Sequence, residues 1–181
     1  MVELSKKSVG ILGGSFDPVH KGHLNISKIA LKKVKLQKIY WLITKKNPFK
    51  KKVHFSLEQR VKLAEKATKN LKKIEVLYLD EKVKSSRSIN LINYLIKKKK
   101  IKKIYFLIGS DILSELHRWK SWKRIVKLTK LVVFSRKGYD KNSKNSIVAK
   151  FLKNKNIIYI KNKPIIVSST LIRKKLIKSS L

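Results

Sequence analysis

Two histidines three positions apart, His20 and His23, follow the glycine pair Gly13-Gly14 and Ser15 within the segment GGSFDPVHKGHL, which runs from Gly13 to Leu24. These residue types suit phosphate chemistry. Paired glycines let the backbone turn sharply and approach a ligand closely. Ser15 adds a hydroxyl beside exposed backbone amides. At the start of a helix, positions three apart share one face, and Gly22 between the histidines keeps that face open. A helix N-terminus presents unpaired N–H groups and a partial positive charge, a good setting for a phosphate, and each imidazole can donate a hydrogen bond to a phosphate oxygen. In phosphoryl or nucleotidyl transfer, positioning and charge stabilisation supply most of the rate, with little demand for a nucleophilic side chain. The chain fits that economy. It has no cysteine, which excludes thiolate catalysis, disulfides and Cys-ligated metals. It also lacks the G-x-x-x-x-G-K-[ST] of a P-loop and the dinucleotide-binding fingerprint.

The elements around this segment must place it. Ser8 to Gly13 is a short apolar run ended by glycines, the pattern of a buried strand. Asp17-Pro18 signals a turn, and His20 to Val34 carries apolar residues at helical spacing. Further buried strands are expected at Lys38–Thr44, Lys73–Leu79, Lys103–Gly109, Lys130–Ser135 and Asn156–Ile160. Helices are expected between them. One opens at Ser56 with an S-x-x-Q capping box, one covers Ile89–Lys99, and one or two short helices lie within Ile112–Leu128. Another is expected over Ser143–Lys153, and a last one is capped by Ser168-Ser169-Thr170 and ends near Ile177. Continuous apolar strands alternating with helices imply an α/β fold: a Rossmann-like open parallel sheet of five to six strands with helices on both faces. Ligands of such sheets bind beyond the carboxyl ends of the strands, where Gly13 to His23 lies.

The 181 residues suit a single domain, 1–181, with a real core. No stretch approaches the roughly 20 apolar residues of a membrane helix, and the apolar run near the N-terminus is too short for a secretory leader. A cytoplasmic protein without membrane partners is the expectation. The net charge of +37 is extreme. It raises the alternative of a basic nucleic-acid-binding protein. Lysine, however, is spread over nearly every segment together with Ile and Asn, as AT-rich coding would produce, and arginine is scarce. No specific nucleic-acid partner is expected, and the positive field favours small anionic substrates.

On these residues the chain resembles a known family. GGSFDPVHKGHL is similar to the signature of the nucleotidyltransferases bearing the H-x-G-H motif. Val167-Ser168-Ser169-Thr170-Leu171-Ile172-Arg173 resembles that family's second signature, I-S-S-T-x-[IV]-R. Within the family the chain looks like the bacterial nicotinate-nucleotide adenylyltransferases. Asn47-Pro48-Phe49-Lys50 matches an N-P-[LF]-K segment, and Gly109-Ser110-Asp111 with His117-Arg118-Trp119 matches a G-x-D…W region. The resemblance implies transfer of the adenylyl group of ATP to nicotinate mononucleotide, giving deamido-NAD and pyrophosphate in NAD biosynthesis. His20 and His23 are then catalytic, binding the triphosphate. Gly14, Ser15, Gly109, Asp111, Ser168, Ser169, Thr170 and Arg173 are assigned to ATP. Trp119 would stack on the pyridine ring of the mononucleotide, with Ser86, Ser88, Lys50 and Arg136 as further contacts to that substrate. The family often shows S-Y-T where this chain has Ser86-Arg87-Ser88. Nicotinamide mononucleotide and pantetheine phosphate are the alternative acceptors. Mg²⁺ is expected with ATP, without a protein ligand. A homo-oligomer stays open.

Overall fold

The computed structural model describes residues 8–45, 53–99, 101–162 and 169–178, with side chains of the last segment described for 169–173. The chain alternates strands and helices from end to end. β1 (Ser8–Gly14), α1 (Lys21–Lys33), β2 (Lys38–Ile43), α2 (Leu57–Thr68) and β3 (Ile74–Tyr78) form its first half. Then come α3 (Asp80–Val83), α4 (Ser88–Lys99), β4 (Lys103–Gly109), α5 (Ser110–Glu115), a 3₁₀ turn at Leu116–Arg118, α6 (Trp122–Leu128) and β5 (Lys130–Phe134). The last elements are α7 (Asp140–Lys144), α8 (Ile147–Phe151), β6 (Ile157–Ile160) and α9 (Ser169–Lys178).

All six strands join one sheet in the order β3-β2-β1-β4-β5-β6, and every neighbouring pair is parallel. Side chains alternate between the two faces of a strand, so an apolar run feeds two cores at once. Tyr40, Leu42, Ile104, Phe106, Ile108, Leu131 and Val133 pack on one face with Leu95 of α4, Leu113 of α5 and Ile125 of α6. Ile39, Trp41, Ile43, Tyr105, Leu107, Val132 and Phe134 pack on the other with Ala30 of α1 and Ala64 of α2. Helices on both faces are what a parallel sheet of this apolar content requires. The sheet expected to hold five to six strands has six, and both its faces are covered as expected. The S-x-x-Q reading also holds. Ser56 Oγ accepts from Gln59 N at 3.1 Å, and Gln59 Oε1 accepts from Ser56 N at 2.9 Å.

One expectation is corrected. The stretch Ser143–Lys153 is not one helix. It is split between α7 and α8, because Ser146 adopts an extended conformation and its side chain caps Ala149 N. After β3 the chain makes the single turn α3. That turn stops at Lys84, whose left-handed φ of 50° lets its N–H and that of Ser85 return to Glu81 and Asp80.

The sheet order has a functional consequence. β1 is flanked by β2 on one side and β4 on the other, so connections leave the centre of the sheet in opposite directions. The carboxyl ends of β1 and β4 therefore border the crevice at which open α/β sheets bind ligands. Gly13-Gly14 and Gly109 are the residues that end these two strands.

Candidate active site

α1 begins at the crevice, and its N-cap is His20 (φ −150°, ψ 170°). The Nδ1 of His20 accepts from Gly22 N at 3.0 Å, and the Nδ1 of His23 accepts from His20 N at 3.2 Å. The pair thus forms a reciprocal capping box in which imidazoles take the places of the usual Ser and Glu. Both Nδ1 atoms act as acceptors, so each neutral ring carries its proton on Nε2. The ring centroids lie 4.0 Å apart, close enough to serve one phosphate chain. No acidic residue sits in the first turn of α1 to compete for its positive end.

The loop between β1 and α1 is held in an unusual shape. Phe16 has φ of 46°, a left-handed conformation that costs energy for a bulky side chain. Burial compensates: its ring stacks on Trp41 (5.1 Å between centroids) and leans on His23 (4.6 Å). Trp41 in turn donates from Nε1 to Ser27 Oγ of α1 at 2.9 Å. His23 is thereby fixed by its own cap and by an aromatic wall.

Beneath this loop lies a cation that sequence reasoning missed. Arg60 of α2 is only 2% exposed. Its guanidinium donates to the carbonyls of Ser15 (2.7 Å), Thr44 (2.8 Å) and Lys45 (3.3 Å), and its Nε donates to Phe55 O at 3.2 Å. One fork therefore joins the end of β1 to the end of β2 and the start of α2. Burial pushes the Arg60 pKa down, while Asp17 and Asp80 oppose that shift. Asp80, 7% exposed at the head of α3, accepts from Lys45 N at 2.8 Å. Burial raises its pKa. Asp17, expected to shape the loop, accepts from Phe55 N at 2.9 Å and His54 N at 3.1 Å.

At the end of β4, Gly109 is the N-cap of α5. A Cβ on Gly109 would collide with the Asp111 carboxylate. That carboxylate is ion-paired to Arg136 Nη1 through Oδ2, while Oδ1 is buried and has no hydrogen-bond partner among the described residues. Arg136 was expected at the mononucleotide. Its side chain pairs with Asp111, and its backbone N–H donates to Ser110 Oγ (2.9 Å) and Asp140 Oδ1 (3.0 Å). Gly109→Ala should fold with a near-wild-type melting temperature, since the obstacle is the end of a flexible side chain, but Asp111 must swing away. The expected result is a raised KM for ATP at unchanged melting temperature. An unchanged KM would contradict the ATP role that the resemblance implies for Asp111.

The second signature reaches the same place. Ser169, the first residue of α9, donates from Oγ to Pro18 O at 2.9 Å. Arg173 lies one turn on. Its Nη1 donates to Asp17 O and stands 3.6 Å from Asp17 Oδ2, and its Nη2 donates to Thr170 Oγ1 at 3.1 Å. Gly14, Ser15, His20, His23, Ser169, Thr170 and Arg173 are thus gathered at one end of the sheet. Trp119, half-buried after the 3₁₀ turn, sets its ring edge-on against Phe106 (6.2 Å). Ser86 lies between α3 and α4 and Ser88 opens α4, and the neighbouring Ser85 Oγ accepts from Arg87 N and Asn90 Nδ2. Lys50 and Ser168 lie outside the described residues. Among the described residues, no three His, Asp or Glu side chains gather as a metal site, and no helix is long and apolar enough to cross a membrane.

A parallel sheet with an H-x-G-H loop at its switch point defines a class. The chain belongs to the cytidylyltransferase-like family, whose model matches residues 11–175. Within it, the chain is 44% identical over 169 residues to a probable nicotinate-nucleotide adenylyltransferase of Pelagibacter ubique, covering 93% of each chain. It is 35% identical over 176 residues to a protein of the same description from Clostridium novyi, covering 94% of this chain and 87% of the other. Among solved structures, Plasmodium falciparum nicotinic acid mononucleotide adenylyltransferase complexed with NaAD superposes with a TM-score of 0.73. That match has 21% identity and covers 93% of this chain and 83% of the other.

Proposed function

We infer that the chain is a nucleotidyltransferase that moves the adenylyl group of ATP to nicotinate mononucleotide, releasing pyrophosphate and forming deamido-NAD for NAD biosynthesis. The observation that carries this reading is the meeting of its two signature segments. Ser169 and Pro18, 151 residues apart in sequence, are hydrogen-bonded, which brings the N-termini of α1 and α9 to one phosphate-binding crevice.

The chemistry asks little of side chains beyond placement and charge. An oxygen of the mononucleotide phosphate attacks the α-phosphorus of ATP. The bond from that phosphorus to the bridging oxygen breaks, and pyrophosphate leaves with the electron pair. The Nε2 protons of His20 and His23 are the donors to the phosphate oxygens as negative charge shifts toward the leaving group. The glycine-ended loop and the amides at the head of α9 hold the remainder of the triphosphate. Asp111, at the other strand end, is assigned to the adenosine portion. Trp119 is assigned to the pyridine ring, with Ser86 and Ser88 facing its carboxylate. Mg²⁺ would enter on the phosphates, held by their oxygens and water, and would neutralise charge there. One copy of the chain carries every side chain invoked, and a cytoplasmic location accords with use of ATP.

The acceptor is tested by supplying nicotinate mononucleotide, nicotinamide mononucleotide and pantetheine phosphate in turn with ATP. The highest kcat/KM is expected for nicotinate mononucleotide. A preference for either alternative would reassign the acceptor while leaving adenylyl transfer in place.

A further inference from the structure

We propose that Trp41 and Ser27 are positioning residues for the transfer: one buried hydrogen bond between them fixes the rotation of α1 on the sheet, and with it the place of the His20 and His23 Nε2 donors. The inference rests on the adenylyltransferase reading above and names what aims its two histidines.

The buried face of α1 is built from small residues. His23, Ser27 and Ala30 share one side of the helix by their spacing, and Ser27 and Ala30 are both 0% exposed. Trp41 of β2, also 0% exposed, fills the space they leave. Its indole reaches two positions of that face. Nε1 donates to Ser27 Oγ at 2.9 Å, and the ring lies 6.1 Å from the His23 ring, centroid to centroid. Phe16 closes the set, at 5.1 Å from Trp41 and 4.6 Å from His23. The surroundings of Trp41 are otherwise apolar, among them Leu12, Ile39 and Ala30. Apolar contact has no preferred direction, so it holds α1 on the sheet without setting its rotation. A hydrogen bond is directional, and in a buried setting an unmade one is costly, so a satisfied pair selects a single arrangement. The sensitivity is high. At the roughly 5–6 Å radius of a helix with its side chains, a rotation of about 10° moves a side-chain tip about 1 Å. A misplacement of that size costs about 10²-fold in rate.

Ser27→Ala tests the pin, because it removes the acceptor and leaves the indole and its packing in place. The expected result is a kcat lowered about tenfold or more. KM for ATP and for nicotinate mononucleotide should stay within about twofold of wild type, as for an interaction used in the transition state. In the same variant without substrate, the NMR resonance of the His23 Cε1 proton should shift, since the ring currents of Trp41 and Phe16 remain and only the placement of His23 changes. Ser27→Ala combined with Trp41→Phe leaves no group unpaired, yet it should turn over as slowly as Ser27→Ala, because nothing fixes the rotation. An unchanged kcat in Ser27→Ala, an unmoved His23 resonance, or recovery of turnover in the double variant would overturn the proposal and leave the pair a matter of stability alone. If Ser27→Ala does not fold, turnover of the double variant decides by the same criterion. Deamido-NAD formation by the wild-type protein is the control: its absence would reject the functional reading, while the His23 resonance would still report on the pin.

Discussion

His23→Ala is expected to turn over about 10²- to 10³-fold more slowly than the wild type, the loss typical of removing one preorganised donor to a developing negative charge. The structure adds a complication that the motif alone does not reveal. His20 is the N-cap of α1; its Nδ1 accepts from Gly22 N, and the Nδ1 of His23 accepts from His20 N. Alanine at either position therefore also removes part of a helix cap, worth about 1 kcal/mol. His20→Asn separates the two effects. Asparagine is among the best N-cap residues, and its side-chain oxygen can accept from Gly22 N as Nδ1 does now. It has no donor that reaches as far as Nε2. The expected outcome is a melting temperature close to wild type with turnover depressed about as far as in His20→Ala. Recovery of turnover in His20→Asn would mean that the histidine serves only the helix.

Arg60→Met should have the largest effect on stability, about 3–5 kcal/mol by urea denaturation, the usual cost of removing one partner from a buried charged network. Four carbonyls, those of Ser15, Thr44, Lys45 and Phe55, lose their donor together. Asp80 loses a compensating cation while its Oδ1 already lacks a partner among the described residues. Arg60→Lys tests geometry apart from charge. An ammonium cannot span carbonyls on three segments as a planar fork does, so Lys should recover only part of the loss. Full stability in Arg60→Met would show that the loop ends stand without this brace.

The strands were legible because a parallel sheet buries both faces and leaves apolar runs such as Lys103–Gly109, whose bounds match the structure. The break between α7 and α8 was not. That stretch is polar and lysine-rich, so no apolar stripe marks its register, and a single cap at Ser146 decides it. The histidines of the site were legible because their partners are close neighbours in sequence. Asp80, Arg60 and the ties on Asp17 were not, since they meet only when the sheet order sets the ends of β2 and β3 beside β1. One signal was available. Arg60, Ala64 and Thr68 repeat every fourth residue on the buried face of α2, a place where a cation needs a reason. Arg60 and Arg173 are two of only six arginines in a chain otherwise crowded with lysine, and each spans acceptors that a fork suits.

The central claim, adenylyl transfer in one step at the crevice headed by His20 and His23, is tested most directly by following ATP labelled at its α-phosphate. With the purified protein and nicotinate mononucleotide, the label should pass to deamido-NAD as unlabelled pyrophosphate appears in equal amount. Label that stays in ATP, or that accumulates on the protein, would contradict it.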